Sequence, residues 1–348
     1  MVMQTVSKTL LTQVAPESLI LPSGQVQFGH FDGPVQTLGL AHFQYQTVMD
    51  KPAGSLARHF DFKQFQFISI VTPRFVVGLA IADIRYLGSG FCYLFDIKAN
   101  RLIETSWLRP LGLGYQLSAS PFSGRAKIGT RSNRIEFNLL EGVWQLEIKT
   151  AQITASLELV PMPLSLPMAM CNPTGYNGWT YTQKHNGLKP KGTLTINHEP
   201  QPLNQALAGY DFSAGYMRRE TSWRWGSINS FIGDKVLGLN LAAGVNETGC
   251  NENVLWIDGA RHLLGPVQFE FSRREGANAS WRIYSQDGRV ELDFHPRNCR
   301  KEQRNLWLLK SNFKQYLGYF DGVLVDNDGV SHQLHQVLGL CEDHFARW

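Results

Sequence analysis

Hydrophobic and polar positions alternate along much of this chain with the period of two that a half-buried strand requires. Phe65 to Ile70 is the clearest case, and Phe75 to Ile84 is a longer apolar run whose Val76 and Val77 favour strand. Gly88-Ser89-Gly90 reads as a turn before a strand from Phe91 to Ile97. Further strands are predicted at Lys127 to Ile128, Arg134 to Leu139, Val143 to Ile148 and Ile153 to Leu159. In the second half they are predicted at Gly192 to Asn197, Gly215 to Asn229, Val236 to Ala243 and Val254 to Ile257. Asp258-Gly259, Asp287-Gly288 and Asp328-Gly329 each lie between strand-like runs, the strongest short signal of a β-hairpin. Helical signals are confined to Ser55 to Phe60 and a single turn at Asn204 to Ala208.

This grammar predicts an all-β protein of antiparallel sheets, each closed into a barrel or curved into a sandwich so that few edges are left open. A chain of 348 residues exceeds one ordinary core. Pro161, Pro163 and Pro167 fall within seven residues, and proline cannot donate to a central ladder. The division expected is therefore an arm over residues 1–20, a first domain over 21–160, a crossover over 161–167 and a second domain over 168–348.

Composition changes the picture only by exclusion. Charged residues are 18% and the net charge is +4, with no block of basic residues beyond Arg297, Arg300, Lys301 and Arg304, so no nucleic-acid partner is expected. The five cysteines are widely spaced without a CxxC, which predicts reduced thiols, a cytoplasmic location and no metal centre. His332 and His335 fall on opposite faces of a strand and make poor metal partners. No apolar run reaches membrane-spanning length, the first seventeen residues lack a signal-peptide pattern, and no cofactor fingerprint is present.

Candidate chemistry centres on residues 211–227. On one strand Arg219, Thr221, Trp223, Trp225 and Ser227 share a face, a mix that suits either a pocket wall or a core tryptophan pair with Arg219 held by Asp211. Arg218, Glu220, Ser222 and Arg224 share the other face, where solvated cross-strand ion pairs are expected. Asn240 interrupts an apolar strand. Asn246-Glu247-Thr248 and Asn251-Glu252-Asn253 lead into the next strand, where Glu252 and Trp256 share a face. A carboxyl beside indoles can serve as a general acid or base. Asp211, Glu252 and Asp293 are the candidate acids, with Asp293 placed to pair with His295. Arg219, Thr221, Trp223, Trp225, Asn240, Asn253 and Trp256 are the candidate ligand-binding residues. Glu342 and Asp343 are expected to anchor the chain end by ion pairing.

Asp211-x-Ser213-x-Gly215, Arg219-x-Thr221-x-Trp223-x-Trp225-Gly226, Gly238-Leu239-Asn240-Leu241, Glu252-Asn253 and the run from Gly339 to Trp348 together resemble the bacterial domain of unknown function 2804. That family implies no particular activity. The stretch from Gly215 to Ser227 is also similar to the Arg-Glu-x-Trp-Gly signature of hydroxyneurosporene synthase-type hydratases and tocopherol cyclases. Here Thr221 to Arg224 separate Glu220 from Trp225-Gly226. This second resemblance implies two lipocalin-like barrels and olefin protonation. Together the readings predict a protein that binds an apolar or amphipathic small molecule, such as a lipid or isoprenoid, or alternatively a lyase or isomerase that protonates an olefin.

Overall fold

In the computed structural model, residues 11–246, 249–276, 279–306 and 309–348 are described. Residues 1–10, half of the arm foreseen at the N-terminus, and Glu247-Thr248 of the polar turn lie outside them. Strands take up 63% of the chain and helix 3%, so the protein is all-β, as the alternation predicts. It divides into two compact units, Gln13–Arg218 and Arg219–Trp348, the latter including Leu11 and Thr12.

The N-terminal unit carries β1 (Gly29–Phe31), a helix α1 (Ser55–Asp61), β2 (Phe62–Val71), β3 (Phe75–Asp83), β4 (Leu87–Asp96), β5 (Arg101–Pro110), β6 (Tyr115–Leu117) and β7 (Gly124–Gly129). It continues with β8 (Arg134–Leu140), β9 (Val143–Lys149), β10 (Ile153–Val160), β11 (Met168–Thr174), β12 (Gly178–Ile196), β13 (Glu199–Pro200) and β14 (Leu207–Tyr216). Its sheet runs β5-β4-β3-β2-β14-β12-β10-β9-β8-β7-β6. Side chains bring the β6 end of this path back against β2 and β3. Tyr115 donates from Oη to Asp83 Oδ1 at 2.8 Å, and Gln64 Nε2 donates to the Leu117 carbonyl at 3.4 Å. Gly88 and Gly90 make that closure possible: a Cβ on Gly88 would lie 2.4 Å from the Tyr115 ring, and one on Gly90 2.6 Å from Ile128. These glycines are therefore strand residues, not the turn their spacing suggests. The turn falls at Ile84–Tyr86, where Arg85 has φ 68°. The result is a nearly closed barrel around one apolar core that includes Ile68, Leu79, Phe137, Leu146 and Phe212.

The proline-rich segment does not separate domains. Before it, β10 pairs with residues 189–196 of β12; after it, β11 pairs with residues 178–184 of the same strand. Residues 161–167 only span the break in β12, where the register shifts between His185 and Leu188. Ser165 Oγ lies 2.8 Å from His185 Nε2 across that break. The boundary between units falls at residues 218/219, inside what the sequence presents as one strand from Gly215 to Asn229.

The C-terminal unit is a nine-stranded half-barrel in the order β18-β17-β16-β15-β23-β22-β21-β20-β19. Its strands are β15 (Glu220–Ile232), β16 (Lys235–Ala243), β17 (Val254–Ile257), β18 (Ala260–Leu263) and β19 (Val267–Glu270). They are followed by β20 (Trp281–Ser285), β21 (Val290–Leu306), β22 (Leu309–Val325) and β23 (Ser331–Arg347). All three Asp-Gly pairs sit at hairpin turns, and Asp258 with Gly259 takes the double positive φ (49° and 87°) of a type I′ turn. One sheet face packs a core around Trp281, whose ring stacks on Phe271 at 3.9 Å and meets Phe294 and Tyr316 edge-on.

Candidate functional site

The other face of the C-terminal sheet gathers most of the residues singled out by the sequence. On β15, Thr221, Trp223, Trp225 and Ser227 do share a side, as strand parity requires. Trp225 is buried and donates from Nε1 to Asn240 Oδ1 at 2.7 Å. Asn240 Nδ2 then donates to the Glu252 carbonyl at 2.8 Å. Asn253 is also buried: its Oδ1 accepts from the Ala242 amide at 2.7 Å and its Nδ2 donates to the Gly265 carbonyl at 2.9 Å. Asn240 and Asn253 thus lace β16 to the segment entering β17. Trp256 is buried opposite Gly238 on the neighbouring strand.

Replacing Trp225 with phenylalanine should keep most of the packing but leave the buried Asn240 Oδ1 without its indole donor. A loss of about 1–2 kcal/mol is expected in denaturant melts.

Three of the expected assignments land elsewhere. Arg219 precedes β15 and is exposed, and its carbonyl accepts from the Trp348 amide at 3.0 Å. Asp211 belongs to the N-terminal unit, where Lys184 Nζ sits 2.6 Å from its Oδ2, so it does not hold Arg219. Asp293 is exposed and lacks the dry surroundings a buried acid needs. His295 turns instead to Ser280 Oγ at 3.0 Å and to Asp321. His335 also reaches Asp321, whereas His332 pairs with the buried Asp326 at 2.8 Å. Among the described residues no group of three or more His, Cys, Asp or Glu is placed to hold a metal ion.

Glu342 brings a carboxyl to an indole. It accepts from Trp223 Nε1 at 3.0 Å and from Gln315 Nε2 at 2.6 Å. His344, two residues on, packs edge-on against Trp223 and Phe313 with ring centroids 4.2 and 4.9 Å away. Burial pushes its pKa down to about 3, so the imidazole is neutral. Its Nε2 lies 3.1 Å from Ser311 Oγ, while its buried Nδ1 has no partner. The expected role for this segment holds for Asp343: it takes a two-pronged contact from Arg273, at 2.8 and 2.5 Å, with Arg224 3.6 Å away. Glu220 pairs with Arg347 across the same face, as the solvated-face reading anticipates. Parity separates the two acids: register alone sends Glu342 to the tryptophan side and Asp343 to the ion-paired side. The sequence signal was present in the alternation of β23.

A second set of polar groups, missed by sequence reasoning, faces the core of the N-terminal barrel. Tyr181 Oη accepts from the Val35 amide at 3.3 Å and donates to Gln183 Oε1 at 2.9 Å; Gln183 Nε2 donates to Tyr210 Oη at 2.9 Å. Burial raises the Tyr210 phenol to about 12 and Tyr181 higher still, so both remain protonated donors. Trp144 stacks on Tyr210 at 4.5 Å. On β2, Gln64 and Gln66 share the parity of the core residues Ile68 and Ile70. Gln64 Oε1, Gln66 Oε1 and Trp179 Nε1 are buried and have no hydrogen-bond partner. Trp144 Nε1 in the same core is likewise buried without a hydrogen-bond partner, so two acceptors and two donors are left open against an apolar lining.

Residues 11–348 match the profile of the domain of unknown function 2804, and the chain belongs to that family. No curated protein matches. The chain is similar to a candidate AttH protein from Nitrosomonas europaea, with 14% identity, 82% of this chain and 92% of that chain covered, and a TM-score of 0.49. It is also similar to kievitone hydratase from Nectria haematococca, with 10% identity, 82% and 88% covered, and a TM-score of 0.48.

Proposed function

We propose that the protein binds a neutral amphipathic small molecule inside its N-terminal barrel. The observation that carries this reading is the set of unpartnered buried atoms, Gln64 Oε1, Gln66 Oε1 and Trp179 Nε1, in an otherwise apolar interior. Native interiors satisfy nearly all their polar groups, and each exception calls for a specific partner. Binding sites for small molecules have this composition, a hydrophobic lining with a few placed polar groups. The Tyr181–Gln183–Tyr210 chain and the open atoms are all uncharged, so they suit a hydroxyl or carbonyl on a lipid-like skeleton. An ionised headgroup would lose its hydration without a counter-charge. Native mass spectrometry of the purified protein should show a co-purifying small molecule. Gln66→Leu should weaken its retention about tenfold, the cost of one lost buried hydrogen bond. Retention unchanged in Gln66→Leu and Trp179→Phe would count against the site.

The olefin-protonating alternative is favoured by a different observation, the Glu342 carboxyl placed between Trp223 and Gln315. Aromatic faces stabilise a developing carbocation. In this reading Glu342 or Glu252 handles the proton, Trp223 and Trp225 flank the substrate, and Glu342→Gln abolishes turnover while leaving binding in the barrel intact.

A further inference from the structure

Five connections of the N-terminal unit meet at one end of its barrel, as the register shows: Lys63 pairs with Gly215, Gly215 with Thr180, Asp83 with Gly88 and Leu87 with Pro110. These connections are residues 46–52, helix α1, and the β3–β4, β5–β6 and β11–β12 turns. They carry seven of the sixteen exposed large hydrophobic side chains among the described residues. Leu111 and Leu113 are 64% and 68% exposed at the tip of a Leu-Gly-Leu-Gly loop, and Leu56 and Met49 are each 73% exposed. Local contacts join these tips. The Leu111 amide donates to the Tyr86 carbonyl at 3.0 Å, and Tyr86 stacks on Phe60 of α1 at 4.5 Å. Asn177 Nδ2 donates to the Thr47 carbonyl at 2.7 Å, and Tyr176 Oη to Asp50 at 3.2 Å.

Clustering and charge set this end apart from scattered surface apolarity. Leu111 holds φ 46°, a left-handed conformation that a branched side chain adopts at a cost. The tips are also interleaved with Lys51, Arg58, Arg85 and Arg109 against Asp50 and Asp61, while Lys63 and Asp83 are buried. Arg85 pairs with the buried Asp83 at 3.1 Å. Cations therefore outnumber anions around these exposed leucines. Long basic side chains beside protruding apolar ones suit the boundary between headgroups and acyl chains.

We propose that this barrel end docks on the surface of an anionic lipid bilayer, with Leu111, Leu113 and Leu56 entering the acyl boundary and Arg58 and Arg109 meeting headgroup phosphates. The inference is independent of what the barrel interior holds, because it is tested with lipid vesicles alone. The intact protein should co-sediment with vesicles of phosphatidylcholine and phosphatidylglycerol, more weakly with phosphatidylcholine alone, and less as salt rises. Leu111→Asp combined with Leu113→Asp should reduce partitioning at least about tenfold. Leu164→Asp should leave it unchanged: Leu164 is 100% exposed, also at positive φ (62°), but lies at the other end of the barrel. Leu111→Gly relieves the left-handed strain, so a thermal midpoint held or raised together with weaker partitioning separates docking from folding. No association of the wild-type protein with either vesicle, or equal losses in the Leu164 variant, overturns the proposal. So does a self-association that the leucine substitutions abolish while vesicle binding is absent.

Discussion

Replacing Lys184 with methionine is expected to destabilise the N-terminal barrel by about 3–5 kcal/mol, the range for breaking a buried ion pair from one side. Lys184 Nζ and Asp211 Oδ2 are 2.6 Å apart with side chains only 5% and 12% exposed. Asp211 Oδ1 also accepts from Ser213 Oγ at 3.2 Å, and Ser213 Oγ lies 3.1 Å from Thr182 Oγ1. Without the ammonium, a carboxylate remains in a poorly hydrated place with one hydroxyl to satisfy it. Combining Lys184→Met with Asp211→Leu removes both charges and should recover most of the loss. Urea melts of the two single variants and the double variant measure the coupling directly. A Lys184→Met effect under about 1 kcal/mol would mean that water reaches the pair.

The second large effect concerns acid. Burial lowers the His344 pKa from 6.5 to about 3, and burial also lowers that of His262. An unfolded histidine takes up its proton near pH 6.5, whereas the folded one resists. Each therefore contributes stability that is complete above the unfolded pKa and is lost as pH falls toward the folded one. The slope is about 1.4 kcal/mol per pH unit for each residue within its window. Asp326 joins only at lower pH: burial raises its pKa, but the His332 contact and the Val330 and Asp328 amides together outweigh burial and leave it below the usual carboxylate range. Glu302 behaves in the same way, with burial outweighed by Arg304 and Arg300. Their contributions are present above the unfolded carboxylate pKa and lost as pH falls through the depressed values. Between pH 6.5 and about 5 His344 contributes its full slope, with His262 adding to it. His344→Phe preserves the edge-on packing against Trp223 and Phe313, and it should remove about 1.4 kcal/mol per pH unit from the slope of stability against pH in that range. A variant whose curve runs parallel to the wild type would show that His344 is not held neutral.

Local rules made the outline of the fold legible. Alternation and short apolar runs located β2, β3, β8, β9, β10, β16 and β17, and Asp-Gly pairs located three hairpins of the C-terminal sheet. Long-range constraints were not legible. Gly88 and Gly90 look like turn residues because their neighbours across the barrel, Tyr115 and Ile128, lie far away in sequence. Residues 161–167 look like a linker because β12 pairs with the strands on both sides of them only in three dimensions. The stretch from 215 to 229 reads as one strand because nothing local marks the passage between units at Arg218 and Arg219. Parity correctly grouped Trp223 with Trp225, but the carboxyl beside them comes from β23, more than a hundred residues later. The interior set of Gln64, Gln66 and Trp179 was hidden for a related reason: glutamine on an alternating strand reads as an outward residue, and only barrel closure shows that it points inward.

The most direct test of the central claim is a crystal structure of the purified protein, at a resolution that separates water from an organic molecule. The account predicts continuous non-protein density in the N-terminal barrel, with polar atoms within hydrogen-bonding distance of Gln66 Oε1 and Trp179 Nε1. An interior in which those atoms are satisfied by isolated waters, or by each other, would contradict it.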